Sequence, residues 1–294
     1  MGLFKDTDGS GYLLTEDRQS GLRIIKLTSD FKDVSQDTYL FPAHYEAPAM
    51  IKVNGRYFMF ASQLTGWDTN DNKYSTSTSL TGGWSSWANF APSGQRTYDS
   101  QTTAILQVGS NYMYMGDRWF SSNLMRSSYI WLPLTISGSS ASVSWYVNWI
   151  IDPNTGAARA GPSENSYEGE NATLSGGASK VSCSGCSGSS AAGNIGASSG
   201  SGGSIRWSSI SSSTSTTTTI RLKHENGDSK QRFAIVNVNG NSQTIAFLPS
   251  TDGNTPASSS VTVSLNSGSS NVITISGTGS GYGPDIDRVM VPVS

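Results

Sequence analysis

A glutamate and a glutamine occupy matching places in a repeated pattern. Glu46 lies in HYEAPAMIKVNGRYFMF and Gln101 in DSQTTAILQVGSNYMYM, each eleven residues before a tyrosine that opens a strand, Tyr57 and Tyr112. Breaking a glycosidic bond with inversion takes a carboxylic acid that protonates the leaving oxygen and a second group that handles water on the opposite face. Glu46 begins an apolar strand between Tyr45 and Ala47-Pro48, where partial burial would raise its pKa and keep it protonated near neutral pH as a general acid. A surface carboxylate at a strand end is the plainer alternative. The Gln101 amide is not basic, but its oxygen can hold and orient a water; a glutamine that only bonds neighbouring backbone fits the same position.

A second group of acids lies far along the chain. Glu168 and Glu170 alternate, so on one strand they would share a face. If the first and last strands of that region lie side by side, Asp287 joins them in a set of hard oxygen ligands suited to calcium; acids exposed to water are the alternative. Three loops carry further sugar-binding candidates: Gly227 and Asp228 in HENGDSK, Asn254 in TDGN, and Tyr282 with Asp285 in GYGPD. Tyr282 offers a ring and the aspartates accept hydroxyl hydrogen bonds, although turn chemistry alone accounts for Asn226-Gly227-Asp228.

The elements that must hold these groups are strands. An apolar strand, an Asn-Gly or Asp-Gly turn and an alternating aromatic strand recur with tyrosines at Tyr12, Tyr57 and Tyr112, spacings of 45 and 55 residues, the size of a four-stranded propeller blade, with three unrelated hairpins in a β-rich protein as the plainer alternative. In the first copy the position matching Glu46 falls on Met1, so the chain is expected to start partway through a repeat. Charged residues make up 14%, Gly is 32 of 294, and no long stretch keeps a helical apolar period, so an all-β fold is expected. A formal charge of −2 leaves no basic face for nucleic acid or anionic lipid, and no apolar run is long enough to span a bilayer. The first residues do not read as a signal peptide; a secreted protein would carry that segment upstream.

Seven of the eight tryptophans precede residue 150, whereas both cysteines and the Ser/Thr/Gly-rich tracts follow residue 160. Turn formers between them predict propeller blades over 1–155, a linker over 156–165 and a β-sandwich over 166–294. The Ser-rich stretch from Ser175 to Thr219 reads as long loops on that sandwich. Cys183 and Cys186 lack a second pair or a nearby His, so a small local disulfide is expected rather than zinc.

Glu46-Ala47-Pro48-Ala49-Met50, Thr65-Gly66-Trp67, Ser100-Gln101-Thr102 and Tyr114-Met115-Gly116-Asp117-Arg118-Trp119 together resemble the later blades of glycoside hydrolase family 43, a five-bladed propeller, and within it the exo-β-1,3-galactanases. The stretches 166–172 and 281–289 are similar to carbohydrate-binding modules of family 35. The resemblance implies that Glu46 is the general acid and that Gln101 faces the nucleophilic water. It places a structural calcium at Glu168, Glu170 and Asp287. It also implies a partly complete five-bladed propeller followed by a jelly-roll sandwich, in a secreted monomer acting on β-1,3-galactan or arabinogalactan. Trp67 would stack on a galactose ring, and the Asp117-Arg118-Trp119 cluster would reach hydroxyls, with blade packing as the alternative for each. The family's acid-tuning aspartate would fall just before Met1, ahead of the turn Asp6-Thr7-Asp8-Gly9. A chain of three blades with open edges is expected to be poorly soluble or inactive alone. A galactan-binding polypeptide without activity, or an arabinofuranosidase or xylosidase specificity, are the other readings.

Overall fold

Tyr12, Tyr57 and Tyr112 are each the second residue of the second strand of a four-stranded antiparallel sheet. The computed structural model describes residues 1–196, 202–250 and 254–293. The first sheet runs β1 (Gly2–Lys5), β2 (Gly11–Asp17), β3 (Gly21–Leu27), β4 (Val34–Phe41). The second runs β5 (Tyr45–Val53), β6 (Arg56–Gln63), β7 (Lys73–Ser77), β8 (Ala88–Asn89). The third runs β9 (Gln101–Val108), β10 (Asn111–Arg118), β11 (Ser128–Ser137), β12 (Ser140–Val143). Each is a meander in chain order, so the recurring unit is the four-stranded blade that the tyrosine spacing predicts. Asn54 and Gly55 close the β5–β6 hairpin with φ of 49° and 79°, the backbone that makes Asn-Gly a favoured two-residue hairpin turn.

The second sheet is buried on both faces, which is why β6 carries an unbroken apolar run from Tyr57 to Ala61. Tyr57, Met59 and Ala61 pack with Leu14, Leu22, Ile24 and Phe41 of the first sheet. Phe58 and Phe60, pointing the other way, pack with Tyr114, Ile130, Leu132 and Leu134 of the third. The outer sheets each bury one face. Their opposite faces carry exposed apolar side chains, Leu3 on β1 and Leu106, Tyr129 and Trp131 on the third sheet.

A buried ion cluster joins the first two sheets. Asp6, in the turn after β1, accepts hydrogen bonds from Lys52 Nζ (2.7 Å), Tyr57 Oη (2.6 Å) and its neighbour's Thr7 N (2.6 Å). Burial raises its carboxyl, but these donors outweigh burial and leave it below the ordinary aspartate range.

The chain divides into two compact units. The first comprises 1–121 with 127–161, and the second comprises 122–126 with 162–294. The segment expected as a linker, 156–165, holds paired backbone: β14 (Ala158–Ala160) pairs β13 (Trp149–Ile151), and β15 (Glu164–Glu168) begins before the expected boundary. Three-residue strands are too short to show a period, which hid them in the sequence.

The second unit is a two-sheet sandwich. One sheet orders β17 (Ser179–Ser182), β18 (Ser190–Gly193), β25 (Asp285–Pro292), β20 (Thr216–Glu225) and β23 (Ala257–Leu265), with β15 also pairing β25. The other orders β16 (Thr173–Ser175), β19 (Ser204–Ser212), β24 (Gly268–Ser276), β21 (Arg232–Val238) and β22 (Asn241–Phe247). Ile205, Trp207, Ile220, Leu222, Val236, Phe247, Ile273, Ile275 and Val289 form its core. The Ser-rich stretch is therefore strand-bearing rather than looped. Ser190–Gly193 is wholly buried because small side chains let the backbone pack closely, and β19 places Ile205 and Trp207 inward at the two-residue period. Cys183 and Cys186 are joined by a disulfide.

Replacing Asp6 with Ala, which leaves Lys52 and Tyr57 without their acceptor, is expected to cost about 2–3 kcal/mol of stability in urea unfolding. Because the folded Asp6 carboxyl is depressed, its contribution is present above the ordinary aspartate pKa and fades as pH falls through the lowered folded value. The stability difference between wild type and Asp6→Ala should shrink over that acid window.

Candidate active site

Glu46 is the second residue of β5 and Gln101 the first of β9, the opening strands of neighbouring sheets, so the repeat brings both to the same end of the blades. Their side chains touch: Gln101 Nε2 donates to Glu46 Oε1 at 3.0 Å. Both line a cavity of about 460 Å³ together with Arg18, Leu64, Gly66, Trp67 and Trp119.

Backbone strain flanks both residues. Ala47, next to Glu46, has φ of 50° at a bulge in the β5–β6 ladder. Arg96 to Asp99, just before Ser100 and Gln101, form a left-handed turn with φ between 48° and 59° and no glycine. Such backbone costs on the order of 1–2 kcal/mol per residue, so neighbouring groups must hold it in place. Asp71 accepts from Gly94 N (2.7 Å) and Arg96 N (2.8 Å). Asn72, fully buried, reaches both sides of Gln101: its Nδ2 donates to Ser100 O (3.0 Å), and its Oδ1 accepts from Thr102 N (2.7 Å) and Thr102 Oγ1 (2.9 Å). Its own N–H donates to Thr97 Oγ1 at 2.8 Å.

Burial, and next the negative charge of Glu16, raise the Glu46 carboxyl above the ordinary glutamate value. The Gln101 donor and the Arg18 charge pull it part of the way back. The net direction suits a group that keeps its proton near neutral pH.

Trp67 is 70% exposed and its ring meets Trp119 edge to face at 4.8 Å, an aromatic wall on the cavity. Asp117 and Arg118 do not line it. Asp117 faces Gln101 in the ladder, whereas Arg118 lies one residue on, and alternation turns its guanidinium over the Trp145 ring at 5.9 Å. Arg18 and Asn72 were missed by sequence reasoning. Arg18 follows β2 in the hairpin DRQSG, and no period marks an isolated Asn in TNDNK.

In the second unit β15 and β25 do lie side by side, with Glu168 opposite Arg288. Glu170, however, sits in the turn after β15 rather than on the strand, because Ala172 N bonds back to Gly169 O (3.1 Å). Ser187 links two of the acids: its N donates to Asp287 Oδ1 (2.9 Å) and its Oγ to Glu168 Oε1 (3.1 Å). Glu168 Oε2, Glu170 Oε2 and Asp287 Oδ2 are buried and accept no hydrogen bond among the described residues. Arg288 Nε stands 3.4 Å from Asp287 Oδ2; the Glu168 and Glu170 oxygens, without a hydrogen-bond donor, fit a hard cation such as calcium. The trio is looser than Cys183, Cys186 and Glu225, the group of possible ligands within 4.8 Å of one another among the described residues, whose cysteines are already bonded together.

The loop candidates separate. Arg232 Nε donates to Asp228 Oδ2 (2.7 Å) and its Nη1 to Gly283 O (3.1 Å), tying the loop of Gly227 and Asp228 to that of Tyr282 and Asp285. Tyr282 is exposed, and burial raises the Asp285 carboxyl. Asn254 instead accepts from Ser184 Oγ (3.4 Å) at the disulfide loop.

Blades whose matching ends gather a glutamate with a raised carboxyl pKa, an amide and a tryptophan wall have the makings of a glycoside hydrolase site. The exo-β-1,3-galactanase of Phanerochaete chrysosporium, solved with galactose, is 35% identical over 98% of this chain and 67% of its own, with a TM-score of 0.64; its complex with β-1,3-galactotriose superposes at 0.65. The chain belongs to the exo-β-1,3-galactanases of glycoside hydrolase family 43. The exo-β-1,3-galactanase of Clostridium thermocellum, 21% identical over 97% of this chain and 67% of its own (TM-score 0.51), shares the fold. The family described as CBM13-like: Alpha-galactosidase, CBM13 domain matches residues 204–291. No curated protein matches the sequence.

Asn72→Ala leaves several buried groups around Gln101 without partners. It is expected to lower stability by about 3 kcal/mol in denaturant unfolding, whereas Asp117→Ala should change it by less than about 1 kcal/mol.

Proposed function

We propose that this chain is the acid-bearing part of an inverting, exo-acting hydrolase that releases galactose from the non-reducing end of β-1,3-galactan. The observation that carries this reading is the contact of Glu46 with Gln101 inside a shared, tryptophan-walled cavity. Glu46 donates its proton to the leaving oxygen. Gln101 holds the attacking water through its amide oxygen. Inversion needs roughly 6.5–9.5 Å between the two groups, to admit sugar and water. The direct bond must therefore open in this reading, Gln101 swinging off Glu46 so that sugar and water lie between them. Losing that donor pushes the Glu46 carboxyl further up, in the direction an acid requires.

In this reading the three blades form part of a five-bladed propeller, and the outward apolar faces with Leu3, Tyr129 and Trp131 are where further blades stack. The second unit is a family 35 carbohydrate-binding module with calcium held by Glu168, Glu170 and Asp287, and sugar bound near Tyr282, Asp228 and Asp285. The disulfide supports a secreted protein.

The activity is tested on β-1,3-galactan with the chain joined to the remaining blades of a five-bladed propeller: NMR should show galactose released first as the α-anomer. Glu46→Gln should cut the rate by at least about 10²-fold while leaving galactan binding intact. Galactose released as the β-anomer, or equal activity in the variant, would refute the assignment. Calcium should raise the melting temperature of the wild type and chelation lower it. Glu168→Gln combined with Asp287→Asn should abolish that response.

A further inference from the structure

Strand alternation puts Glu16 on the same face of β2 as Tyr12 and Leu14, the face packed against the second sheet, and its ladder partner is the fully buried Leu22. The Glu16 side chain is 16% exposed, and its Oε1 is buried and accepts no hydrogen bond among the described residues. A carboxylate oxygen withdrawn from water without a donor is unfavourable unless its charge serves something. The cation beside it is Arg18, whose Nε stands 3.6 Å from that oxygen. This is too long for a hydrogen bond, and the Arg18 side chain is 84% exposed, so the guanidinium is only loosely committed. Arg18 also lines the cavity shared by Glu46 and Gln101.

We propose that Glu16 is a positioning residue for Glu46 and Arg18 its adjustable counter-charge, so that an occupant of the cavity that draws the guanidinium off Glu16 tightens the hold of Glu46 on its proton. This rests on Glu46 being the acid. The charges that bear on Glu46 have opposite signs: Glu16 favours its protonated form, whereas Arg18 favours the ionised one, as does the Gln101 donor. An ion pair that breaks on occupancy therefore acts in the same direction as the release of Gln101. Both changes favour the acid form when a leaving group is present.

The chain has six glutamates, so labelling their side-chain carboxyls with 13C gives six resonances to follow against pH in the 294-residue protein. Glu46 is identified by the signal lost in Glu46→Gln. In Glu16→Gln its titration midpoint should move to lower pH, and Glu16→Asp, which keeps the charge, should hold it near the wild-type position. In Arg18→Gln, a substitution at an exposed side chain, the midpoint should move to higher pH. An unmoved Glu46 midpoint in Glu16→Gln, with the remaining resonances in place, overturns the proposal. So does a downward move in Arg18→Gln, which decides the matter alone if the Glu16 variant does not fold. These titrations use no substrate. A chain that shows both shifts yet releases no galactose would keep the charge pair and lose only the hydrolase reading.

Discussion

The second sheet must hide both of its faces, and the rest of the first unit is arranged around that requirement. Side chains alternate along β6, so Met59 and Phe58 point to opposite neighbours, and a slip of one residue would exchange the two sets. The register of β5 against β6 is thereby pinned, and with it the position of Glu46 at the strand opening. The third sheet is pinned in the same way through Tyr114, Ile130 and Leu132. Gln101 then reaches Glu46 across the gap between sheets through core packing, with Asn72 of the β6–β7 connection fixing the backbone on either side of it.

Much of this could be read in advance because it is periodic. The repeat of tyrosines marked equivalent strands, and equivalent strands have equivalent ends, so Glu46 and Gln101 could be placed together from spacing. Arg18, Asn72 and Ser187 could not. Each acts on a residue that another element brings to it, and single polar residues in turns leave no pattern in the chain. The left-handed turn at Arg96–Asp99 was equally hidden, since it contains none of the glycines that usually announce such backbone. Local preference is overruled there by Asp71 and Asn72, which bond the turn from another connection. Arg118 shows the opposite failure: a cluster adjacent in sequence is split by strand alternation, which sends neighbours to different faces.

In the second unit, composition misled where burial did not. Serine-rich strands look like loops to any reading based on polarity, yet Ser190–Gly193 is buried and paired. The inward residues of the better marked strands, Ile220, Leu222, Val236 and Ile273, were legible at the two-residue period and identified the sandwich. Ser187 links Glu168 with Asp287, whereas Glu170 sits in the turn after β15, so alternation along one strand describes Glu168 but not Glu170.

The bond between Gln101 and Glu46 means that the two groups satisfy each other inside the cavity they line. An entering molecule must break that arrangement and replace both halves of it, offering an oxygen to the freed amide and an acceptor for the carboxyl proton. A ligand that fills the space but lacks either group leaves a desolvated partner behind, at a cost of about 1–3 kcal/mol. On those terms the pair itself favours ligands that bring hydroxyls over deoxygenated ones of the same shape.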